Sequence, residues 1–314
     1  MQQLLQGVKY FVQMESNLSG NSAADYETVC LAIHQMNGDI LNAENSGFSY
    51  QEIKSALEPV YAIYARSPFF CRMQTWPRGY QGDFETIEYL CDAHNGSTPQ
   101  TVEYYCEQAA LNAHIVQQHR NKLHRQAELA LGVILGERLV RQGPPRILSV
   151  ACGGCRDLAP FARVLDPLHC RLVLNDMDTD ALALAEMRLA GLGDSCQVVP
   201  GNILRRIREL VKYGPFDLIL VGGLFDYLED KHIAFLFKHC RESLLAPGGM
   251  LFCTNVGPDN PQKTWQRYFT NWTLIERSEG DLQRLAGESG FCRADVKITR
   301  DTTRVALLAE LTRP

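Results

Sequence analysis

The residues best suited to chemistry lie between positions 151 and 176. The apolar run Arg146 to Ala151 leads into Cys152-Gly153-Gly154-Cys155-Arg156-Asp157, and Asp176 closes a second apolar run twenty-three residues after Gly153. Adjacent glycines let the backbone approach a ligand where a Cβ would block it, and a carboxylate at that distance can accept both hydroxyls of an adenosine ribose. A dinucleotide site would add a third glycine to seat its pyrophosphate on a helix N-terminus. Here Leu158, Ala159, Pro160 and Phe161 follow instead. The spacing predicts a nucleoside-bearing ligand without a pyrophosphate.

Other groups carry weaker signals. Cys152 and Cys155 form a CxxC pair, but no second pair or partnered histidine stands near it, so no metal is expected. His114, His119 and His124 recur every five residues, which rotates them around a helix instead of stacking them, although one of them could act as a base. Asp226 and Tyr227 follow an apolar strand and would stand at the mouth of a cleft, with Tyr227 shaping a channel. Trp265, Tyr268, Phe269 and Trp272 either line an acceptor pocket or pack as core, and Arg277, next to Glu276, either binds an acceptor carboxylate or is a solvated pair. Asp301 suits a turn.

Two different patterns must position these residues. From residue 1 to about 140, apolar residues recur at helical spacing, as in Tyr26, Val29, Cys30, Ile33 and Met36, and again in Ile53, Leu57, Val60, Tyr61 and Tyr64. Asn37 to Gly47 reads as a loop, Arg66 to Asp83 as an interruption, and Thr98 to Leu139 as one long helix with at most a bend. After Gly143-Pro144-Pro145, strands and helices alternate, with strands near 146–151, 171–175, 216–221 and 250–255 and a helix over 156–165. The pattern predicts right-handed crossovers and a parallel sheet covered on both faces. At the end, runs 294–299 and 304–311 are joined by too few residues for a crossover, so they must form an antiparallel hairpin.

A parallel sheet closed by such a hairpin is the order expected of class I S-adenosylmethionine (SAM) methyltransferases, and residues 147–311 resemble that family. The motifs are Ile147 to Cys155, Asn175 to Asp178, Pro200 to Ile203, and Phe216 to Leu228. Ser149 replaces an acidic residue common in the family, and Ala151 and Cys155 replace glycines. The resemblance implies a seven-stranded Rossmann-like sheet, with SAM as cofactor and S-adenosylhomocysteine (SAH) as product. It places Ala151, Cys152 and Gly153 in the first cofactor turn, Asp176 on the ribose, and Met177 against adenine. Gly201, Asn202 and Ile203 fall at the adenine edge, and Gly222, Gly223 and Leu224 under the methionine moiety.

Trp76 to Asp83, with the 151–157 motif and Asn271 to Arg277, also resembles a bacterial group labelled 3-hydroxypalmitic acid methyl ester biosynthesis proteins. That resemblance implies a helical cap, residues 1–140, whose Arg78, Tyr80 and Asp83 fold over the cofactor. An Arg fork can bind a carboxylate and an Asp an ammonium; the alternative is an Arg78–Asp83 pair that only locks a turn.

Hydrophobic residues at 46% and charged residues at 21% mark a folded chain, and 31 basic against 36 acidic residues give a net charge of −5, which argues against nucleic acid. No apolar stretch approaches the roughly 20 residues that span a bilayer. Eleven scattered cysteines suggest reduced thiols and a cytoplasmic location. The expectation is a small-molecule methyltransferase with Trp76, Tyr268, Trp272 and Arg277 as acceptor residues and Tyr227, His114 and Asp226 as catalytic ones. A carboxylate or amino-acid thioether acceptor is favoured because no tight base constellation is visible. Alternatives are a SAM-binding regulatory or docking protein, or a protein methyltransferase; the first helices could also pair two copies.

Overall fold

The computed structural model describes residues 1–136, 143–162 and 170–314 of the chain. In chain order the helices are α1 (Gln2–Gln13), α2 (Ser22–Asn45), α3 (Tyr50–Tyr64), α4 (Pro68–Thr75), α5 (Phe84–Asp92), α6 (Val102–Leu111), α7 (His114–Ile134), α8 (Thr179–Arg188), α9 (Ile203–Leu210), α10 (Asp230–His239), α11 (Lys263–Phe269) and α12 (Glu279–Glu288). The strands are β1 (Arg146–Val150), β2 (Arg171–Asp176), β3 (Cys196–Pro200), β4 (Phe216–Val221), β5 (Leu245–Val256), β6 (Val296–Arg300) and β7 (Ala306–Thr312).

The chain divides into two compact units: residues 1–117 with 261–273, and residues 118–260 with 274–314. In the second unit the sheet order is β3-β2-β1-β4-β5-β7-β6. The first five strands pair in parallel, and β7 is antiparallel to both β5 and β6. This is the expected Rossmann-like sheet with its C-terminal hairpin. Side chains alternate across it as a strand's period of two requires. Leu148, Val173, Ile219 and Leu251 face α9, α10 and α12, whereas Ile147, Leu172, Leu218 and Phe252 face α8 and the C-terminal half of α7, through Leu129, Ala130 and Val133.

The helical unit is organised around aromatic rings. Tyr64 stacks on Phe269 at 4.8 Å and meets Phe70 edge-on at 4.4 Å, and Trp265 Nε1 donates to the Tyr64 hydroxyl at 3.3 Å. Segment 261–273, which follows β5, thus belongs to this core. Glu107, fully buried on α6, accepts from Ser67 Oγ, Ser97 Oγ and Tyr89 OH, each at 2.6 Å, and from the Gly96 amide at 2.8 Å. That saturation is what a buried carboxylate needs.

Several local expectations are corrected. Asn37–Gly47 is helical through Asn45, because Met36, Ile40 and Ala43 bury one face of α2 and packing overrides the polar, glycine-containing run. The 66–83 interruption contains α4, started by Ser67 as N-cap with Pro68 in the first turn. Pro59 sits inside α3. The long helix breaks at Asn112 and Ala113 into α6 and α7. Over 156–162 there is only one tight turn, Ala159–Phe161; residues 137–139 and 163–165 of the expected helices, and the expected domain boundary at 140/141, lie outside the described residues. The first stretch of the helical unit runs to Gln117. No disulfide is formed among the described residues, and no helix there is long and apolar enough to cross a membrane.

Candidate functional site

In an open α/β sheet the ligand crevice lies beyond the carboxyl ends of the strands, where neighbouring strands lead away in opposite directions. With β2 on one side of β1 and β4 on the other, that point falls between Val150 and Val221. The turn after β1 adopts positive φ at alternate residues: Ala151 (50°), Gly153 (53°) and Cys155 (52°). Ala151 and Cys155 therefore hold a glycine-like conformation despite their Cβ atoms, strain of the kind found at functional sites.

Asp176, at the end of β2, is 9% exposed. Its Oδ2 accepts from the Gly153 amide at 2.8 Å and its Oδ1 from the Asp178 amide at 3.0 Å. Burial nonetheless outweighs those donors and raises its pKa above the usual carboxylate value. The Cys152 amide donates to the Asn175 carbonyl at 3.2 Å, fastening the turn to β2. Burial, with the Asp176 and Asp157 charges, holds the Cys152 thiol well above its ordinary pKa, so it is no ready nucleophile.

The remaining expected cofactor residues divide by environment. The Gly201 amide donates to the Asp176 carbonyl at 2.7 Å, Asn202 caps α9 by accepting from the Leu204 amide at 2.9 Å, and Ile203 is buried in the core. Met177 is 64% exposed. Gly222, Gly223 and Leu224 follow β4, half-buried. A Cβ on Gly222 would come within 1.9 Å of Gln126 Oε1, so a larger residue there would have to displace the end of that side chain.

Gln126 belongs to a group that the sequence reading did not single out. Gln118, Lys122 and Gln126 recur every four residues on α7 and are all buried. Gln126 Nε2 donates to Asp157 Oδ2 at 3.0 Å, and Lys122 Nζ stands 3.9 Å from Asp226 Oδ2. Burial pushes the Asp157 carboxyl up to about 6 and raises Asp226 as well, with Lys122 opposing the latter shift. His119, half-buried on the same helix, is held well below the ordinary histidine pKa by burial and by Lys122 and Arg120, so it is neutral and a weak base. The signal available in the sequence was this polar stripe at helical spacing, at the end of a helix whose later turns are apolar.

Asp226 Oδ1 accepts from the Val256 amide at 2.6 Å; Tyr227 is half-buried beside it. Arg277, expected to bind an acceptor, is buried and committed to structure. Its guanidinium donates to Asp230 Oδ1 at 2.9 Å and to the carbonyls of Phe225 at 2.8 Å and Leu228 at 2.5 Å, as well as to Asn255 Oδ1 at 2.9 Å. It locks the turn after β4 to the end of β5.

The other expected residues lie in the helical unit. Asp83 caps α5 and pairs with Arg72 Nη2 at 2.8 Å, not with Arg78, while Arg78 reaches Glu85 at 3.1 Å and lies over the Phe84 ring. Trp76, Asp83 and Trp272 line one narrow cleft with Arg72, Met73 and Thr86. Trp76 is itself left-handed, at φ 48°, and its buried indole N–H has no hydrogen-bond partner among the described residues. Tyr80 is half-buried, Tyr268 is buried with its hydroxyl donating to Glu44 at 2.8 Å, and His114 is exposed at the start of α7. Among the described residues no group of three or more metal-binding side chains converges.

Residues 148–251 match the family model described as a methyltransferase domain. No curated protein matches the chain. A protein from Bordetella parapertussis described as a possible exported protein shares the fold, with a TM-score of 0.56 and 21% identity over 93% of this chain and 97% of its own. Magnesium protoporphyrin IX methyltransferase from Synechocystis is similar at 11% identity and TM-score 0.47, over 64% of this chain and 87% of its own. The SAM-dependent methyltransferase SibL is similar at 14% and 0.47, over 93% and 77%.

Proposed function

We propose that this chain is a SAM-dependent methyltransferase acting on a small-molecule acceptor, a carboxylate or an amino-acid thioether before a hydroxyl or an amine. The methyltransferase-domain match over residues 148–251 supports the reaction class. The observation that carries the cofactor is Asp176, a buried carboxylate at the end of β2 with its oxygens turned onto the Gly153 and Asp178 amides, beside a glycine turn with no pyrophosphate seat. A ribose diol suits that carboxylate, and the bare backbone of Gly222 and Gly223 suits the methionine end.

When bound, SAM supplies an electrophilic methyl carbon on a sulfonium and leaves as SAH. The protein's part in such a displacement is to align the acceptor with that carbon and to exclude water. An acceptor that is already nucleophilic fits the weak bases at hand: His119 is neutral with a depressed pKa, and one oxygen of Asp226 is spent on Val256. The reading assigns acceptor selection to the helical unit as a substrate cap, through Trp76 and Trp272.

The test is incubation with methyl-labelled SAM and a fractionated bacterial metabolite extract, followed by mass spectrometry, with Asp176→Ala as control. Label is expected in one small molecule and absent with the variant. Tight SAM binding without transfer would point instead to a regulatory or docking role, and label on protein to a protein methyltransferase. An absence of SAM binding overturns the reading.

A further inference from the structure

We infer that the amino-end face of the sheet, on the side away from the crevice, is a docking surface for an acidic polypeptide segment. The inference concerns the sheet unit alone and does not depend on the proposed reaction.

Topology assembles this face. β1 to β5 run parallel, and β6 shares their direction because β7 is antiparallel to both β5 and β6. All six strands therefore start on one side. There Arg171 opens β2, Arg208 and Lys212 stand at the end of α9 ahead of β4, Lys238 and Arg241 stand ahead of β5, and Arg293 stands ahead of β6. The sheet order puts five inter-strand steps between β2 and β6, about 24 Å, so these cations form a row across the sheet. In a chain of net charge −5 such a row is not a product of composition.

The row is set apart by its lack of counter-ions. None of the six makes an ion pair among the described residues. Other arginines of the unit do: Arg125 meets Glu310 at 2.6 Å, Arg284 meets Asp230 at 2.8 Å and Arg300 meets Glu279 at 2.9 Å. The acids of the same face do not serve the row. Asp217 accepts from the Arg146 amide at 2.8 Å and Asp295 from the Cys292 amide at 3.1 Å, while Asp194 and Glu242 form no ion pair among the described residues. Helix ends favour cations within their last turn, which accounts for Arg208 and Lys238 but not for Arg171 or Arg293.

Five of the six side chains are exposed, and Arg241 is half-buried. Arg241 lies against the turn at Gly290, its Nη1 3.3 Å from where a Cβ would stand, and its buried Nε has no hydrogen-bond partner among the described residues. A partly desolvated guanidinium without an acceptor gains from an incoming carboxylate. A polypeptide suits the row better than a nucleic acid, whose bases need aromatic platforms. The exposed large apolar side chains described in this unit include one aromatic, Phe235, and its ring meets the His239 ring edge-on at 4.4 Å. Val211, 41% exposed next to Lys212, offers an apolar contact that a side chain can cover. An extended segment advances about 3.3 Å per residue, so about eight residues span the row.

The experiment is fluorescence anisotropy of the full chain with three labelled probes: a peptide of eight glutamates, a glycine-serine peptide of the same length, and a thymidine octanucleotide. At about 50 mM salt the glutamate peptide should bind at least about tenfold more tightly than the neutral one, and the preference should fade by about 300 mM. Arg171→Glu combined with Lys212→Glu should weaken the glutamate peptide at least about tenfold. Lys231→Glu combined with Arg304→Glu changes net charge equally at the start of α10 and in the turn between β6 and β7, at the opposite ends of the strands, and should weaken it less than about threefold. No preference for the glutamate peptide, equal losses in the two double variants, or a thymidine strand bound as tightly as the peptide would each overturn the inference. Salt-sensitive self-association in sedimentation, abolished by the first double variant, would also overturn it, by assigning the face to a second copy. If the first double variant folds poorly, Arg171→Gln and Lys212→Gln made singly supply the same comparison.

Discussion

Both units bury carboxylates, and Glu107 and Asp83 of one are satisfied differently from Asp157 and Asp176 of the other. In the helical unit Glu107 receives four donors and Asp83 receives the Thr86 amide and hydroxyl as well as Arg72. In the sheet unit Asp157 and Asp176 are nearly as buried, yet burial prevails over their donors and both carboxyls are raised. The contrast separates carboxylates that hold a fold together from carboxylates kept ready for a ligand. A saturated acid has nothing left to offer, whereas an acid held above its ordinary pKa gains when a cation or a hydroxyl donor arrives.

Breaking the saturated side should cost most. Glu107→Ala leaves Ser67, Ser97, Tyr89 and Gly96 facing a void, and is expected to lower stability by about 3–5 kcal/mol in urea unfolding. A loss below 1 kcal/mol would erase the contrast. On the other side, Asp157→Asn should stabilise the ligand-free chain, and the sign follows from the proton balance. The folded carboxyl titrates near 6 and the unfolded one near 3.8, so the folded state binds the extra proton and stability falls as pH rises between those values. The variant escapes that loss: its advantage is absent below about pH 4 and approaches about 3 kcal/mol above pH 7, read as the pH dependence of the unfolding midpoint.

Asp176→Ala should weaken SAH binding by about 10- to 100-fold while moving stability by less than about 1 kcal/mol. A large stability loss would place Asp176 with Glu107. The smallest effect is expected at Trp76→Phe. Removing a buried N–H that lacks a partner should raise stability by about 1 kcal/mol, and if that N–H serves an acceptor, KM should rise with kcat little changed. Unchanged KM would return Trp76 to packing.

The sheet unit is legible in the sequence because its signals are local. Phe216 to Val221 reads as a strand and is one, and the short link before Ala306 permits only a hairpin. Gly153 and Asp176 are recognisable by type and spacing. What is not legible depends on partners distant in sequence. Lys122 and Gln126 look like the solvated face of a helix until α7 is laid against Gly222 and Gly223. Arg277 has the composition of a ligand-binding arginine, and only the carbonyls of Phe225 and Leu228 show it to be a lock. Asn37 to Asn45 carries loop-forming residues, and the packing of Ile40 and Ala43 keeps it helical. The pairing of Asp83 with Arg72 in place of Arg78 turns on the rotation of one short helix, α4, whose start at Ser67-Pro68 is visible only when the capping signal is weighed above the surrounding break.

The return of residues 261–273 to the helical unit also bears on the order of synthesis. Tyr64 and Phe70 emerge early, but Trp265 and Phe269, which complete their ring cluster, are made only after five strands of the sheet. The helical unit must therefore wait with an incomplete core while most of the chain is translated. A fragment ending before residue 261 would expose that cluster, so the helical unit's core is completed only late in synthesis.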